Sequence, residues 1–127
     1  MNLLLDTHVF LWWDKPGTVL NPGAKAAIQD QRNEIFVSAA SVWEIALKRN
    51  RGKLNFSGSA VVAIGANGFH ELPILPLEAE DAGGLAWPHT DPFDRLLVAQ
   101  ALRHGMSFVT ADAAIRAFGG VPMIWAG

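Results

Sequence analysis

Four acidic residues stand at points where the chain changes local structure: Asp6 in Leu3-Leu4-Leu5-Asp6-Thr7, Glu44 in Val42-Trp43-Glu44-Ile45-Ala46, Asp94 in Asp91-Pro92-Phe93-Asp94-Arg95, and Asp112 in Phe108-Val109-Thr110-Ala111-Asp112. A fold that collects them makes them repel one another, and a bound cation or shared protons are then needed to keep them together. Mg²⁺ or Mn²⁺ suits such a set. These hard ions take oxygen ligands and keep several waters, so a few carboxylates suffice. One or two ions of this kind activate water, align a phosphodiester for in-line attack and offset charge on the leaving oxygen. The chemistry indicated is metal-assisted reaction at phosphates.

Each acid also has an ordinary reading. Asp6 and Asp112 each precede a predicted helix, where Asp is a favoured N-cap. Glu44 has Lys48 four residues on, an ion-pair spacing on a helix, although its neighbours Val42, Trp43, Ile45, Ala46 and Leu47 are otherwise apolar. Asp91 and Asp94 together approximate a capping box. Asp94 is distinguished by its stripe: it shares a helix face with Val98, Ala101 and Leu102, the face expected to be buried, which turns its carboxylate inward. An inward acid needs a partner or a metal.

The elements that must position these acids alternate. Residues 3–5 read as a buried strand and 7–13 as a helix apolar on most sides. Residues 21–32 read as a helix with Pro22 in its first turn. A strand over 35–37 leads through Ser38, a candidate N-cap, into a helix over 39–50 that Gly52 stops. A short helix over 59–66 is followed by an extended stretch, 69–75, which Pro73 restricts to an edge strand at most. Residues 78–87 read as a helix weakened by Gly83 and Gly84. The clearest helix covers 92–104, with Asp91 as N-cap, Pro92 at N1 and Gly105 as the stop. A strand over 107–110, a helix over 113–118 and a strand over 123–125 complete the pattern. Strands separated by helices, with few hairpin signals, predict an α/β fold of three layers around a mostly parallel sheet of four to five strands. Ligands in such sheets bind beyond the carboxyl ends of the strands, where strand order reverses. Asp6 and Asp112 belong to that edge.

Composition bounds the partners. The 127 residues are expected to form one domain spanning 1–127, half of them hydrophobic. Without cysteine, disulfides, thiolate zinc sites and cysteine nucleophiles are excluded. The apolar run after Met1 is too short for a signal peptide or a membrane span, so a soluble, cytoplasmic protein is expected. Net charge is −2, but with the four acids set aside as ligands the remaining eight face ten Lys and Arg, so charge neither excludes nor supports nucleic acid. Lys48, Arg49, Arg51 and Lys53 form the dense basic run, read either as a solvated helix end or as an RNA backbone contact. His8, His70, His89 and His104 lack a shared spacing, and His89 is assigned a surface or capping role. The apolar runs 9–13 and 60–64 exceed what one buried helix face needs, and part of each is expected at an interface.

At these same residues the chain resembles the PIN-domain family, most closely its VapC-type toxin branch. The matching segments are Leu4-Leu5-Asp6-Thr7-His8, Ser38-Ala39-Ala40-Ser41-Val42-Trp43-Glu44-Ile45, Gly52-Lys53-Leu54, His89-Thr90-Asp91-Pro92-Phe93-Asp94-Arg95-Leu96-Leu97-Val98-Ala99-Gln100-Ala101 and Thr110-Ala111-Asp112, in the family's order over nearly the whole chain. The resemblance implies a Mg²⁺-dependent endoribonuclease, with Mn²⁺ as a substitute, acting on a structured RNA such as tRNA or rRNA. It also implies a homodimer neutralised by a VapB-type antitoxin. Asp6, Glu44 and Asp94 match the core acids and Asp112 the more variable fourth, with Asp6 and Asp94 as the direct metal ligands. Substrate contact is assigned to Arg95, Thr110 and Lys48, Arg95 having pairing with Asp91 as its alternative. Where the family usually has a basic residue between His89 and Asp91, this chain has Thr90, which weakens the case for substrate grip.

Two other classes compete with hydrolysis of RNA by metal-activated water, which leaves 5′-phosphate and 3′-hydroxyl ends. One is phosphotransfer through an aspartyl-phosphate on Asp6; the haloacid-dehalogenase type of that chemistry wants a second Asp two residues on, where this chain has His8. The other is a non-catalytic PIN module that binds RNA or protein, against which four intact acids argue.

Overall fold

The computed structural model describes residues 1–15 and 19–127. Five strands, β1 (Asn2–Leu5), β2 (Glu34–Ser38), β3 (His70–Leu72), β4 (Ser107–Thr110) and β5 (Met123–Trp125), form one sheet in the order β3-β2-β1-β4-β5. Every neighbouring pair is parallel. The alternating strand and helix pattern therefore reads correctly as α/β, and the sheet is wholly rather than mostly parallel. Its helices among the described residues are α1 (Thr7–Asp14), α2 (Pro22–Gln29), α3 (Ala39–Asn50), α4 (Ala60–Ala66), α5 (Pro76–Gly84), α6 (Pro92–His104) and α7 (Ala113–Phe118).

The pleat of β1 divides the core. Leu3 and Leu5 point to one face, with Val9, Phe10, Ala24, Ile28, Ile45 and Ile64. Leu4 points to the other, with Leu97, Val98, Ala101, Phe108 and Ile115. Alternation along a strand flips successive side chains, so three leucines in a row serve two layers at once. All three are fully buried, as expected of a central parallel strand covered on both sides.

Four helix boundaries match the sequence reading because their caps are chemical. Asp91 Oδ1 accepts from the backbone N–H groups of Phe93 (2.9 Å) and Asp94 (3.1 Å), Pro92 occupies the first turn, and Gly105 closes α6 at φ +64°, a left-handed conformation that glycine adopts without strain. Ser38 caps α3 through its hydroxyl, and Asp112 caps α7. Two helices differ. The helix read over 21–32 stops at Gln29, where Asp30 turns back to hold Arg32. The helix read over 78–87 begins earlier, at Pro76, and ends at Gly84. In addition, Leu102, placed on the buried face of α6 by spacing, is 40 % exposed, whereas Leu97 and Gln100 are fully buried.

Of the apolar runs, Val9, Phe10 and Leu11 are absorbed by the core, with Trp12 and Trp13 packed against it. Ala60 and Ile64 are also buried, but Val61 and Val62 remain exposed.

Candidate active site

In the order β3-β2-β1-β4-β5 the chain runs outward in one direction from β1 through β2 and in the other from β4, so the strand order reverses between β1 and β4. Asp6 leaves β1 and Asp112 follows β4 at this reversal, the place where parallel sheets open a crevice. Asp6 is buried and doubly held: Oδ1 accepts from the Thr7 N–H at 2.7 Å and Oδ2 from the Thr110 hydroxyl at 2.7 Å. The same Thr110 oxygen accepts from the Asp112 N–H at 3.0 Å. One hydroxyl thus ties the two strand-borne acids together. Asp112 is half-buried, and its Oδ1 caps α7 by accepting from Ala114 (2.8 Å) and Ile115 (3.1 Å).

Glu44 and Asp94 arrive on helices. α3 packs against α1 and α4 on one side and α6 on the other, and its second turn carries Glu44, which is buried and paired with Lys48 Nζ at 2.6 Å. Trp43 of α3 meets Phe93 of α6 edge-on, ring centroids 4.9 Å apart. Each ring immediately precedes an acid, so this contact fixes Glu44 relative to Asp94. Ser41, one helical turn before Glu44, accepts from the Thr7 hydroxyl at 2.9 Å and joins α3 to the first turn of α1. Asp94 lies in the first turn of α6 with its carboxyl largely covered, and His89 Nε2 is hydrogen-bonded to Oδ2 at 2.7 Å.

The acids influence one another. Burial pushes the Asp94 carboxyl up to about 7; the His89 hydrogen bond opposes this, and the charges of Asp91, Asp6 and Asp112 add to the rise. Asp6 is likewise raised, by burial first, against the hydrogen bonds from Thr110 and Thr7, with Glu44 adding a smaller push. Lys48 is raised by its Glu44 partner and, through space, by Asp91 and Asp94. Two depressions meet at His8, in the first turn of α1. One, of about 210 Å³, is lined by Asp6, His8, Trp12, Ala111 and Asp112; the other, of about 280 Å³, adds Glu44, Lys48 and Lys53 to Thr7 and His8.

The donors are all oxygen and collectively over-charged, which fits a hard divalent cation in kind. Among the described residues no three His, Asp or Glu side chains converge into a ready-made cage. An ion that keeps most of its waters and takes one or two carboxylates directly is compatible with that spacing.

Residues 3–121 match the PIN domain. The chain belongs to the PIN-domain family. This PIN domain is 29 % identical over 117 residues to ribonuclease VapC22 of Mycobacterium tuberculosis (strain ATCC 25618 / H37Rv), covering 90 % of this chain and 89 % of that protein. Among solved structures its fold resembles VapBC2 from Rickettsia felis bound to a promoter DNA fragment, with TM-score 0.68, 12 % identity and both chains fully covered. It also resembles VapBC-1 from nontypeable Haemophilus influenzae, with TM-score 0.63 and 15 % identity over 98 % of this chain and 97 % of that one. At those identities the structural likeness establishes the fold alone.

Within the PIN domain, two of the residues assigned to substrate are otherwise engaged. The Arg95 guanidinium does not pair with the Asp91 carboxylate: it donates to the backbone carbonyls of Ala82 (2.9 Å), Gly83 (3.3 Å), Leu85 (3.0 Å), Trp87 (2.6 Å) and His89 (3.0 Å). A guanidinium has five N–H donors, and all are used. Thr110 is fully buried and its hydroxyl serves Asp6 and Asp112. Lys48 is the assigned substrate residue that keeps an accessible side chain, at 41 % exposure. The PIN domain also contains site residues that sequence reading missed or undervalued. His89, given a surface or capping role, is hydrogen-bonded to Asp94; its place five residues before the acid was the available signal. Thr7 and Ser41 were readable as a polar pair only from their proximity to Asp6 and Glu44.

Proposed function

We propose that this PIN domain is a Mg²⁺-dependent endoribonuclease of the VapC toxin type, with Mn²⁺ as a substitute. The observation that supports the reading is that Asp94 is pushed up to about 7 by burial, with the charges of Asp91, Asp6 and Asp112 adding to the rise, while Glu44 adds to the rise of Asp6 beside the strand-order reversal. Asp6 and Asp94 hold the ion directly, while Glu44 and Asp112 complete the negative field around it. When bound, Mg²⁺ supplies Lewis acidity that makes water a better nucleophile and offsets charge on the phosphate. Thr110 and the Thr7 N–H keep the Asp6 carboxylate aligned, since both its oxygens accept hydrogen bonds. His89 does the same for Asp94. Lys48, anchored by Glu44 and exposed on its other side, meets the RNA phosphates. Because water attacks rather than the ribose 2′-hydroxyl, the products carry 5′-phosphate and 3′-hydroxyl ends.

The relatives support the biological setting. VapC22 is named a ribonuclease, and the Rickettsia and Haemophilus structures are of VapBC assemblies. We infer that this chain acts in the cytoplasm on a structured RNA such as tRNA or rRNA, forms a homodimer, and is restrained by a VapB-type antitoxin. The exposed Trp43 and Val61, lining an apolar groove of about 390 Å³ with Val42, Ala46, Leu72 and Pro73, are consistent with a protein partner.

Incubating the purified, partner-free protein with structured RNAs and Mg²⁺, then sequencing fragment ends, tests the reading. Cleavage with 5′-phosphate ends, abolished by EDTA and by Asp94→Asn, is expected. Cleavage that survives both treatments overturns the metal-dependent mechanism, and no cleavage by the parent leaves a binding module as the better account.

A further inference from the structure

Seven consecutive residues, His89-Thr90-Asp91-Pro92-Phe93-Asp94-Arg95, contain a cation one position after a site acid. A cation so placed invites a direct electrostatic role, yet the Arg95 guanidinium turns away from the carboxylates. Its five donors collect carbonyls from two sources. Ala82 and Gly83 belong to the last turn of α5, whose final carbonyls have no partner within the helix. Leu85, Trp87 and His89 belong to the connection between α5 and α6. Arg95 therefore caps one helix from inside the next and folds residues 85–89 around its own side chain.

That fold has an aromatic spine. The Trp87 indole lies between two rings, stacked on His89 (centroids 4.4 Å apart, planes 20° apart) and on Phe118 at the end of α7 (4.8 Å, 29°). Phe118 in turn occupies space that a side chain at position 120 would need: a Cβ there would come within 2.6 Å of its ring, so Gly120 lets it settle. With its ring stacked on Trp87 and its backbone carbonyl held by Arg95, His89 presents Nε2 to Asp94 Oδ2 at 2.7 Å.

We propose that His89 is a positioning residue for Asp94, and that Arg95 and Trp87 are what hold it there. This rests on the reading above, in which Asp94 takes a divalent cation. The imidazole N–H engages one carboxylate oxygen and fixes its plane, leaving the other oxygen for the ion. Hydrogen-bonded partners of this sort typically change metal affinity about 10–100-fold when removed. The stack also ties the connection bearing His89 to α7, whose N-cap is Asp112, so two acids on separate helices share one aromatic support.

The test is Mn²⁺ binding to the purified, partner-free protein, measured from the EPR signal of free Mn²⁺, with RNA cleavage kinetics alongside. Asp94→Asn is expected to abolish the site. His89→Ala should weaken Mn²⁺ binding about 10–100-fold and lower kcat at sub-saturating metal while leaving KM for RNA unchanged. His89→Gln, whose amide N–H reaches the same oxygen, should recover most of the loss. Arg95→Lys should reproduce the His89→Ala defect, because an ammonium cannot span five carbonyls; should that variant fail to fold, Trp87→Ala takes its place, with Trp87→Phe as its rescue. Mn²⁺ affinity at the parent level in His89→Ala, with Asp94→Asn binding none, overturns the positioning role and leaves the metal reading intact. Parent-level affinity in Asp94→Asn overturns the metal reading and this proposal together.

Discussion

At Asp94 the folded protein works against its own charge. Its carboxyl holds a proton up to about pH 7, whereas the group ordinarily releases it near 3.8. Between those values the folded state binds more protons than the unfolded chain, so this group lowers stability as pH rises through the interval. Asp94→Asn removes that penalty. In calorimetry without divalent metal, the variant should unfold at least about 4 °C above the parent at pH 8, with a gap that shrinks steadily towards pH 5. A pH-independent gap would refute the account. Added Mg²⁺ should close the gap at pH 8 by stabilising the ionised parent alone. Thr110→Val keeps the shape and removes the donor to Asp6, so kcat should fall about 10–100-fold, and Thr110→Ser should retain most activity. The inward turn of Asp94 was legible because helical spacing places it with Val98 and Ala101. The engagement of Thr110 was not, because its acceptor lies 104 residues away and only the closed sheet brings the two together.

Among the elements, α6 carries the densest set of obligations. Its first turn bears Asp94 and Arg95, and its middle bears Gln100, fully buried between two other polar groups. Ser38, the cap of α3, donates to Gln100 Oε1, and Gln100 Nε2 donates to Pro73 O (3.2 Å) and to Glu78 Oε1 on α5 (2.9 Å). His104 reaches the other Glu78 oxygen at 2.8 Å. Burial pushes the Glu78 carboxyl up, but these hydrogen bonds outweigh it and hold the group below its ordinary value. Gln100→Leu leaves Ser38 and Glu78 short of partners in the interior, and urea unfolding should lose about 1–3 kcal/mol with an unchanged m-value. A neutral result would mean that the network contributes nothing to holding α5, α6 and the cap of α3 together. The ends of α3, α6 and α7 were readable because Ser38, Asp91, Pro92, Gly105 and Asp112 act locally. The end of α5 was not: Arg95 gathers carbonyls from Ala82 to His89 and ends the helix at Gly84 rather than Trp87, through contacts that skip along the chain.

For the molecule as a whole, the formal charge of −2 conceals an uneven distribution, with Asp6 and Glu44 buried and Lys48 left accessible beside Glu44. If RNA docks there, KM should rise with salt, and Lys48→Ala should make the log–log slope shallower by about 0.7, the counterion release expected for one phosphate on a single strand. Equal slopes in parent and variant would remove Lys48 from the interface. The three-layer architecture was legible from alternating elements alone, and the parallel pairing from the scarcity of hairpin turns. Burial of the outer residues was less so: Leu102 is exposed where spacing buries it, and Val61 and Val62 stand out from a helix too short to hide them.

The strand order has one more consequence, which concerns synthesis. β1 is made first and lies at the centre of the sheet, but one of its two neighbours, β4, is made almost last. Asp6 therefore leaves the ribosome long before Thr110 and Asp112, and the Asp6 to Thr110 hydrogen bond has no counterpart on a partly made chain. This topology delays assembly of the candidate site until nearly all of the chain described here has emerged.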